Sequence, residues 1–274
     1  MEYFRIPHSS KSLSSIALGT SRFKFAIKDT CFALLDEYVA QGGTIIDTGR
    51  MYGCFEAETV IGEWFKLHPE KRETIFLQTK GCHYKVDPNT NESVPSVQRV
   101  SARHLRKDVE ASLAAFDLPY IDSFLIHRDN LEVPISELFD TLHEIRLEGK
   151  IHVYGISNWT LPRIEEAKNY CQLKGYQPIS INSPAFSVAE VTVPQYPLCV
   201  YATPDYVRWC VDQGILLMCW APNGTGFFSG KIHRTPEGEI QATMPLSPQF
   251  QESYFTEKNW KRLSAVEALA EEKK

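Results

Sequence analysis

Four side chains of the kinds that move protons follow apolar segments of this sequence. Asp47 ends the run in "TIIDTGRMYG", and Tyr52 follows it by five residues, flanked by glycines. Lys80 ends "TIFLQTK" and His127 ends "YIDSFLIH". A surface turn would explain Tyr52 alone, and a structural histidine would explain His127 alone. If the apolar segments are parallel β-strands, however, their carboxyl ends meet at one active-site mouth, and the four residues predict one site.

These residue types fit proton donation to a carbonyl oxygen. A tyrosine with its ordinary pKa of about 10 exchanges protons poorly near neutrality. A lysine ammonium within hydrogen-bonding reach favours the phenolate, so we expect Lys80 to lower the pKa of Tyr52. Burial alone would push Lys80 towards its neutral form, and Asp47 is needed to hold its charge. His127 can then orient a carbonyl oxygen or relay a proton.

The elements that must position these residues alternate between strands and helices. The predicted strands are 15–20, 43–48, 74–80, 120–127, 151–157, 177–182 and 214–220. The predicted helices, which show apolar residues at helical spacing, are 30–43, 57–69, 104–118, 135–150, 161–175, 203–213 and 256–274. A polar loop covers 81–100, and a long Gly/Pro loop precedes the last helix. Because parallel pairing needs a crossover each time, this alternation predicts an α/β fold with a parallel sheet.

Seven βα units are recognisable, and an eight-stranded barrel needs an eighth strand between the seventh and the first. Two interpretations are open: an open doubly wound sheet, or a (β/α)8 TIM barrel whose eighth unit is missing from this chain. The last helix has no capping glycine and no closing strand, which favours the missing unit. With no linker or composition break, we expect residues 1–274 to form a single domain that is truncated at its C-terminus.

The same segments resemble those of a known family. "GGTIIDTGRMYG", "IFLQTKG", "DSFLIHR" and "WAPNGTGFFSGK", in this order, are similar to segments of the aldo-keto reductases, and the resemblance covers nearly the whole chain. It implies a (β/α)8 barrel that reduces aldehydes or ketones with NADPH, NADH being possible. It also implies Tyr52 as general acid, Asp47 and Lys80 as the pair that tunes it, and His127 as the residue that orients the substrate.

The resemblance further implies where the cofactor binds. Ser157 and Asn158 match the pair that hydrogen-bonds the nicotinamide amide, and 223–226 matches the segment along the pyrophosphate. The implied cofactor-binding set is Gly19, Thr20, Ser157, Asn158, Ser183, Trp220, Ala221, Asn223, Gly224 and Gly226. Trp220 replaces the family's stacking tyrosine, and Ser183 stands where a glutamine is frequent. The family's 2′-phosphate segment follows the eighth strand, so the choice between NADP and NAD is left open.

Composition argues against several other classes of function. The formal net charge is −5 and the pI is about 5.9, so we expect neither nucleic acid nor an anionic membrane as a partner. The longest apolar run, 215–221, is far shorter than the roughly 20 residues of a membrane-spanning helix. Seven cysteines without a C-x-x-C pair fit free thiols in a reducing cytoplasm. The histidines show no metal-ligand spacing, so no metal site is expected.

Two functions of other classes stay open. A nucleotide-binding regulatory subunit of the same fold would keep the four residues but have little or no turnover. A lyase would use Lys80 as a Schiff base, although Asp47 argues against this by holding the ammonium charged. Arg128, next to His127, is interpreted as a solvated surface residue rather than a group that binds an anionic substrate. The identity of the small-molecule carbonyl substrate, the direction of reaction and the oligomeric state are not determined by the sequence.

Overall fold

A computed structural model describes residues 1–87, 90, 92–196, 198–235 and 237–273. Its strands are β1 (Tyr3–Phe4), β2 (Leu13–Ser14), β3 (Leu18–Gly19), β4 (Ile45–Asp47), β5 (Phe76–Gly81), β6 (Lys85–Val86), β7 (Ser93–Val94), β8 (Ile121–Ile126), β9 (Ile151–Ser157), β10 (Ile181–Ser183), β11 (Leu216–Leu217), β12 (Ile232–Arg234) and β13 (Ile240–Ala242). Its helices are α1 (Lys28–Ala40), α2 (Ala57–Leu67), α3 (Ala102–Phe116), α4 (Ile135–Leu147), α5 (Leu161–Lys174), α6 (Pro204–Asp212), α7 (Pro248–Tyr254) and α8 (Glu257–Glu272).

Seven strands form one sheet, in the order β11–β10–β9–β8–β5–β4–β3. The pairings from β3 to β9 are parallel, and they place Asp47 opposite Gln78 and Lys80 opposite Leu125. The spatial order follows the order along the chain, whereas a doubly wound sheet reverses direction at a switch point. The doubly wound interpretation is therefore wrong, and the predicted parallel α/β arrangement is confirmed.

The strands at the centre of this sheet are buried on both faces. All six residues of β5 and all six of β8 are buried, as expected for strands covered by helices on one side and packed side chains on the other. Helix α2 turns Val60, Ile61 and Trp64 inward, each at most 1% exposed. Burying one large apolar side chain contributes about 1.5–3 kcal/mol, so these faces hold the helices on the sheet. No helix in the described ranges is long and apolar enough to span a membrane.

A buried ionic network lies at the amino-terminal part of β8. Asp122, 2% exposed, accepts hydrogen bonds on Oδ2 from Arg72 Nη1 at 2.6 Å and from the Leu77 backbone N–H at 3.0 Å. Its other oxygen lies 2.7 Å from Lys11 Nζ, which also donates to the carbonyl oxygens of Arg72 and Ile75. The network ties three distant parts of the chain to one carboxylate.

Contacts between Cα atoms divide the chain into two compact units. Unit 1 comprises Met1–Asn182 and Gly214–Leu216, and unit 2 comprises Ser183–Gln213 and Leu217–Lys274. The core of unit 2 is rich in aromatic side chains and contains Ala189, Phe227, Ile232, Phe250, Tyr254, Trp260 and Leu263. The assignment of 1–274 to a single truncated domain stays a prediction.

Several short elements were not predicted. The polar loop 81–100 contains the hairpin β6–β7, although its residues 88, 89 and 91 lie outside the described part of the chain. The Gly/Pro segment before α8 contains the hairpin β12–β13 and helix α7. The strand predicted at 214–220 is shorter, Leu216–Leu217. Strands of two or three residues show no measurable alternation, so periodicity alone cannot detect them.

Candidate active site

Lys80 and Asp47 form an ion pair at the carboxyl ends of two neighbouring strands. Lys80 Nζ donates to Asp47 Oδ1 at 2.5 Å and to the Thr48 carbonyl oxygen at 3.0 Å. Gln78 Nε2 donates to the same Asp47 oxygen at 2.7 Å. The Lys80 side chain is 1% exposed and that of Asp47 is 17% exposed. The strands thus hold a buried ammonium against a carboxylate that keeps some contact with solvent.

Tyr52 completes a linear arrangement with this ion pair. Lys80 Nζ donates to the Tyr52 hydroxyl at 3.3 Å and lies 5.0 Å from the centre of its ring. The next residue, Gly53, has φ +59°, and its backbone N–H donates to the Ser21 carbonyl oxygen at 3.0 Å. A Cβ at Gly53 would lie 1.7 Å from the Phe23 carbonyl oxygen, so only glycine fits there. The tight turn fixes the phenol beside the ammonium.

The protonation states differ in one respect from the expectation. Burial raises the pKa of Tyr52 above its ordinary value, and the Lys80 ammonium offsets only part of this increase. Lys80 thus acts on the pKa of Tyr52 in the expected direction, but burial outweighs it, and the expected net lowering is wrong. Burial opposes the charge on Lys80, but Asp47 and Tyr52 outweigh it, and the pKa of Lys80 is raised. The site contains a protonated phenol beside a charged lysine.

His127 follows β8 and packs edge-on against Tyr52, with 5.8 Å between the ring centres. Its backbone N–H donates to the Gly81 carbonyl oxygen at 2.7 Å, which anchors it to β5. The ring is buried, and its Nδ1 has no hydrogen-bond partner among the described residues. Burial, followed by the charges of its neighbours, holds the pKa of His127 well below its ordinary value. The imidazole is therefore neutral near pH 7.

Two basic residues extend this group beyond the predicted set. His83, three positions after Lys80, packs against His127 with ring centres 4.8 Å apart. Arg128 Nη2 lies 3.2 Å from His83 Nε2, and the guanidinium lies 5.5 Å from the ring of Tyr84. The interpretation of Arg128 as a solvated surface residue is wrong, because it is partly buried and joined to the site. Lys80 and His127 were predicted because they lie at the carboxyl ends of strands. His83 and Arg128 follow the same two strands, so the same argument applies to them.

A buried carboxylate supports the turn from behind. Glu58 on α2 is 1% exposed and accepts hydrogen bonds from Thr79 at 2.6 Å and Ser112 at 2.8 Å. Its second oxygen pairs with Arg50, whose backbone N–H donates to the Lys80 carbonyl oxygen at 2.9 Å. Burial raises the pKa of Glu58, and the charge of Arg50 offsets part of this increase. The sequence contained a signal for this buried carboxylate, because Glu58 lies on the apolar face of α2, one turn before Ile61.

Unit 1 contains four of the predicted cofactor-binding residues. Thr20 donates to the Asp47 carbonyl oxygen through its backbone N–H and its hydroxyl, both at 3.0 Å. Gly19 is exposed, and a Cβ there would meet nothing within 4 Å. Asn158, in the left-handed region at φ +63°, donates from Nδ2 to the Ser157 hydroxyl at 2.9 Å and lies near the His127 carbonyl oxygen. A hydroxyl and an amide side by side offer the donors and acceptors that a carboxamide needs.

Unit 2 contains the remaining predicted cofactor-binding residues. Ser183 ends β10 and is 1% exposed. Trp220 lies between the rings of Tyr196 and Tyr201, with centres 6.0 and 5.7 Å away. Ala221, Gly224 and Gly226 have positive φ, and Asn223 Oδ1 accepts from the Gly226 N–H at 3.2 Å. The Gly224 and Gly226 amides donate within their own loop, so the proposed pyrophosphate role of 223–226 stays a prediction.

Within the described residues, no group of three or more His, Cys, Asp or Glu side chains is arranged to hold a metal ion. All seven cysteines are free thiols. The burial of Cys82, beside the site, raises its pKa strongly, so this thiol is not poised as a nucleophile. Asp47, Tyr52, Lys80 and His127 stay the predicted catalytic residues.

Comparison with known proteins decides the family. The model of the Aldo/keto reductase family matches residues 15–274. The chain belongs to the aldo/keto reductase family. The family resemblance inferred from the motifs is thereby confirmed, and so is the fold class, because aldo/keto reductases are (β/α)8 barrels and the sheet has the matching parallel strand order.

Curated aldo/keto reductases show how far the similarity extends. The chain is 27% identical to norsolorinic acid reductase B of Aspergillus parasiticus over 240 residues, which cover 85% of this chain and 59% of that protein. It is 27% identical to aldo-keto reductase yakc (NADP(+)) of Schizosaccharomyces pombe, covering 87% and 65% of the two chains. It is 25% identical to aryl-alcohol dehydrogenase (NADP(+)) of Phanerodontia chrysosporium, covering 77% and 52%. The chain spans between about half and two thirds of the length of these relatives.

Proposed function

We propose that this chain is an oxidoreductase that reduces an aldehyde or ketone, or oxidises the corresponding alcohol, with NADPH or NADH. One observation carries the proposal: Lys80 joins Asp47 at 2.5 Å to the Tyr52 hydroxyl at 3.3 Å. Membership of a family of nicotinamide-dependent oxidoreductases, with relatives named for NADP(+), supports it. The seven free thiols support a reducing cytoplasm as its location.

The chain's own residues supply the proton and place the carbonyl. Tyr52, whose pKa is raised by burial, is protonated near pH 7 and donates to the carbonyl oxygen. The Lys80 ammonium stabilises the phenolate that forms, and Asp47 keeps that ammonium charged. Neutral His127 hydrogen-bonds the carbonyl oxygen through one ring nitrogen. The substrate is thus bound by groups that gain strength as negative charge develops on oxygen.

A nicotinamide cofactor supplies the hydride when bound. Ser157 and Asn158 would bind the carboxamide of the cofactor, and Gly19 and Thr20 would lie along the cofactor. In unit 2, Ser183 and Trp220 would contact the nicotinamide ring, and Ala221, Asn223, Gly224 and Gly226 would follow the pyrophosphate. The assignment of Ser157 and Asn158 is supported by their adjacent hydroxyl and amide, and the other assignments rest on membership of the family.

The proton-donor assignment is tested by Tyr52→Phe, with Tyr170→Phe as the matched control. Tyr170 lies on α5, donates to Asp140 on α4 and takes no part in the site. We expect Tyr52→Phe to lower the rate of aldehyde reduction at least about 100-fold, the range of general acid catalysis, and to leave NADPH binding unchanged. Aldehyde reduction is followed by NADPH absorbance, and binding by tryptophan fluorescence.

Reduction by Tyr52→Phe at the parent rate would exclude Tyr52 as the donor. A parent chain that binds NADPH tightly but reduces none of a panel of aliphatic and aromatic aldehydes would instead favour a nucleotide-binding regulatory subunit. These two results are distinct, because only the second concerns the unmodified chain.

A further inference from the structure

Arg128 is a partly buried cation without an anionic partner. Among the described residues, no carboxylate lies within the 4.0 Å that defines an ion pair with its guanidinium. Its buried Nε has no hydrogen-bond partner in the same part of the chain. The more deeply buried Arg72 and Arg163 do have carboxylate partners: Arg72 pairs with Asp122 at 2.6 Å, and Arg163 pairs with Glu166 at 2.9 Å. Buried charges are normally paired, so the missing anion at Arg128 calls for an explanation.

His83 positions this guanidinium without neutralising it. A guanidinium is only a donor, so His83 Nε2, 3.2 Å from Arg128 Nη2, must accept. The His83 hydrogen is then on Nδ1, which donates to the Tyr84 carbonyl oxygen at 3.3 Å. Burial, reinforced by Arg128, lowers the pKa of His83 to about 3. The imidazole therefore stays neutral and is a hydrogen-bond acceptor for Arg128 rather than a counter-ion.

A continuous series of ring contacts joins Arg128 to the proton donor. The ring of His83 lies 4.8 Å from that of His127, and His127 lies 5.8 Å from Tyr52. The charge of Arg128 acts along the series, since it helps to lower the pKa of His127 and opposes the rise in the pKa of Tyr52. Arg128 thus lies at the edge of the site that receives the carbonyl.

We propose that Arg128 binds a carboxylate carried by the carbonyl substrate. The proposal rests on the proposed function and narrows its substrate class to oxo acids, in which one molecule holds both groups. A guanidinium binds a carboxylate through parallel N–H···O bonds, which give both strength and orientation. Binding at Arg128 supplies the anion that the chain lacks there, and it directs the carbonyl of the same molecule towards Tyr52 and His127.

Binding without turnover gives the first test. Benzoate and its neutral analogue benzamide are titrated by calorimetry into the parent chain, Arg128→Gln and the control Arg106→Gln. Arg106 is an arginine on the exposed side of α3, where it pairs with Glu144 and Glu148. We expect the parent and the control to bind benzoate at least about tenfold more tightly than benzamide, as charge-assisted hydrogen bonds do, and Arg128→Gln to lose this preference. Equal preference in all three proteins overturns the proposal.

Turnover separates the proposal from the function on which it rests. The substrates are 4-carboxybenzaldehyde and its neutral analogue 4-carbamoylbenzaldehyde. We expect kcat/KM for the carboxylate substrate, divided by kcat/KM for the neutral substrate, to be at least about tenfold lower in Arg128→Gln than in the parent. Equal reduction of both aldehydes by the parent overturns the carboxylate proposal and leaves carbonyl reduction intact. Benzoate binding through Arg128 without reduction of any aldehyde refutes the proposed function but supports the anion site. A last result concerns the cofactor: NADPH displaces benzoate, and Arg128→Gln weakens NADPH binding by the same factor as benzoate binding. Arg128 would then bind a cofactor phosphate, and the proposal would be overturned.

Discussion

Lys80 uses all three of its ammonium protons inside the protein. They point to Asp47 Oδ1, the Thr48 carbonyl oxygen and the Tyr52 hydroxyl. A Schiff base needs a neutral amine with a free lone pair, and the pKa of Lys80 is raised instead. The same three contacts suit a cation that stabilises a developing phenolate. At the scale of the residue, this geometry favours proton transfer over lyase chemistry.

The buried neutral His83 predicts a pH dependence of stability. The unfolded chain binds a proton on this residue below its ordinary pKa of 6.5, whereas the folded chain does so only near 3. Acid therefore favours unfolding between these values, by about 1.4 kcal/mol per pH unit. The contribution is absent above pH 6.5, and lowering the pH below about 3 adds nothing further.

His83→Gln should remove this part of the acid sensitivity. The difference in unfolding free energy between parent and variant should be constant above pH 6.5 and shift by about 2 kcal/mol against the parent between pH 6.5 and 5. Urea unfolding at each pH measures it. A difference that does not change with pH would mean that His83 titrates normally in the folded protein.

The turn Tyr52–Phe55 is the element that sets the position of Tyr52, the proposed proton donor. Gly53, Cys54 and Phe55 all have positive φ, at 59°, 59° and 71°. A non-glycine residue in this region costs about 1–2 kcal/mol, so the surrounding contacts must hold the turn. The Arg50–Glu58 pair and the Gly53 N–H bond to Ser21 provide such contacts. These contacts with the surrounding elements thus hold the strained turn in place.

Gly53→Ala tests whether the turn controls catalysis. The added methyl group meets the Phe23 carbonyl oxygen at 1.7 Å, so the backbone has to move and displace Tyr52. We expect kcat/KM for an aldehyde to fall by roughly 100-fold, the cost of about 1 Å of misplacement. Gly175→Ala is the matched control, because Gly175 also has positive φ but open space around its Cβ. Equal loss in both variants would show that only backbone strain matters.

The elements also show how much the sequence could predict. Long apolar runs ending in Asp47, Lys80 and His127 predicted the central strands and placed these side chains at the strand ends, because burial on both faces leaves a clear pattern. The hairpins β6–β7 and β12–β13 have too few residues for a pattern. The contacts of Arg128 with His83 and Tyr84 depend on the folding of the chain in space, which spacing along the sequence does not reveal. The raised pKa of Tyr52 depended on how deeply the ring is buried.

At the scale of the whole molecule, the Asp122 network joins segments that are far apart in the sequence. Lys11 precedes the sheet, Arg72 lies between α2 and β5, and Asp122 lies in β8. Burial lowers the pKa of Lys11, while Asp122 opposes this change, so the carboxylate keeps the lysine charged. Removing the carboxylate would leave two buried cations facing one another.

Asp122→Asn should therefore lower the unfolding free energy by about 3–5 kcal/mol, the cost of breaking a buried ion pair from one side. The control Asp205→Asn removes an exposed carboxylate paired with Arg208 at 3.4 Å and should change stability by less than about 0.5 kcal/mol. Urea unfolding curves of the three proteins give the comparison. Similar midpoints for all three would mean that solvent reaches the network.

The order of the strands has a consequence for synthesis. Each strand of the seven-stranded sheet after β3 lies beside the strand of that sheet that precedes it in the chain, so the sheet can grow at one edge while the ribosome is still adding residues. Until β9 emerges, the edge of β8 is unpaired, and its segment "IDSFLI" is an apolar edge of the kind that recruits other chains. The pace of translation between β8 and β9 thus becomes a determinant of how much protein escapes aggregation.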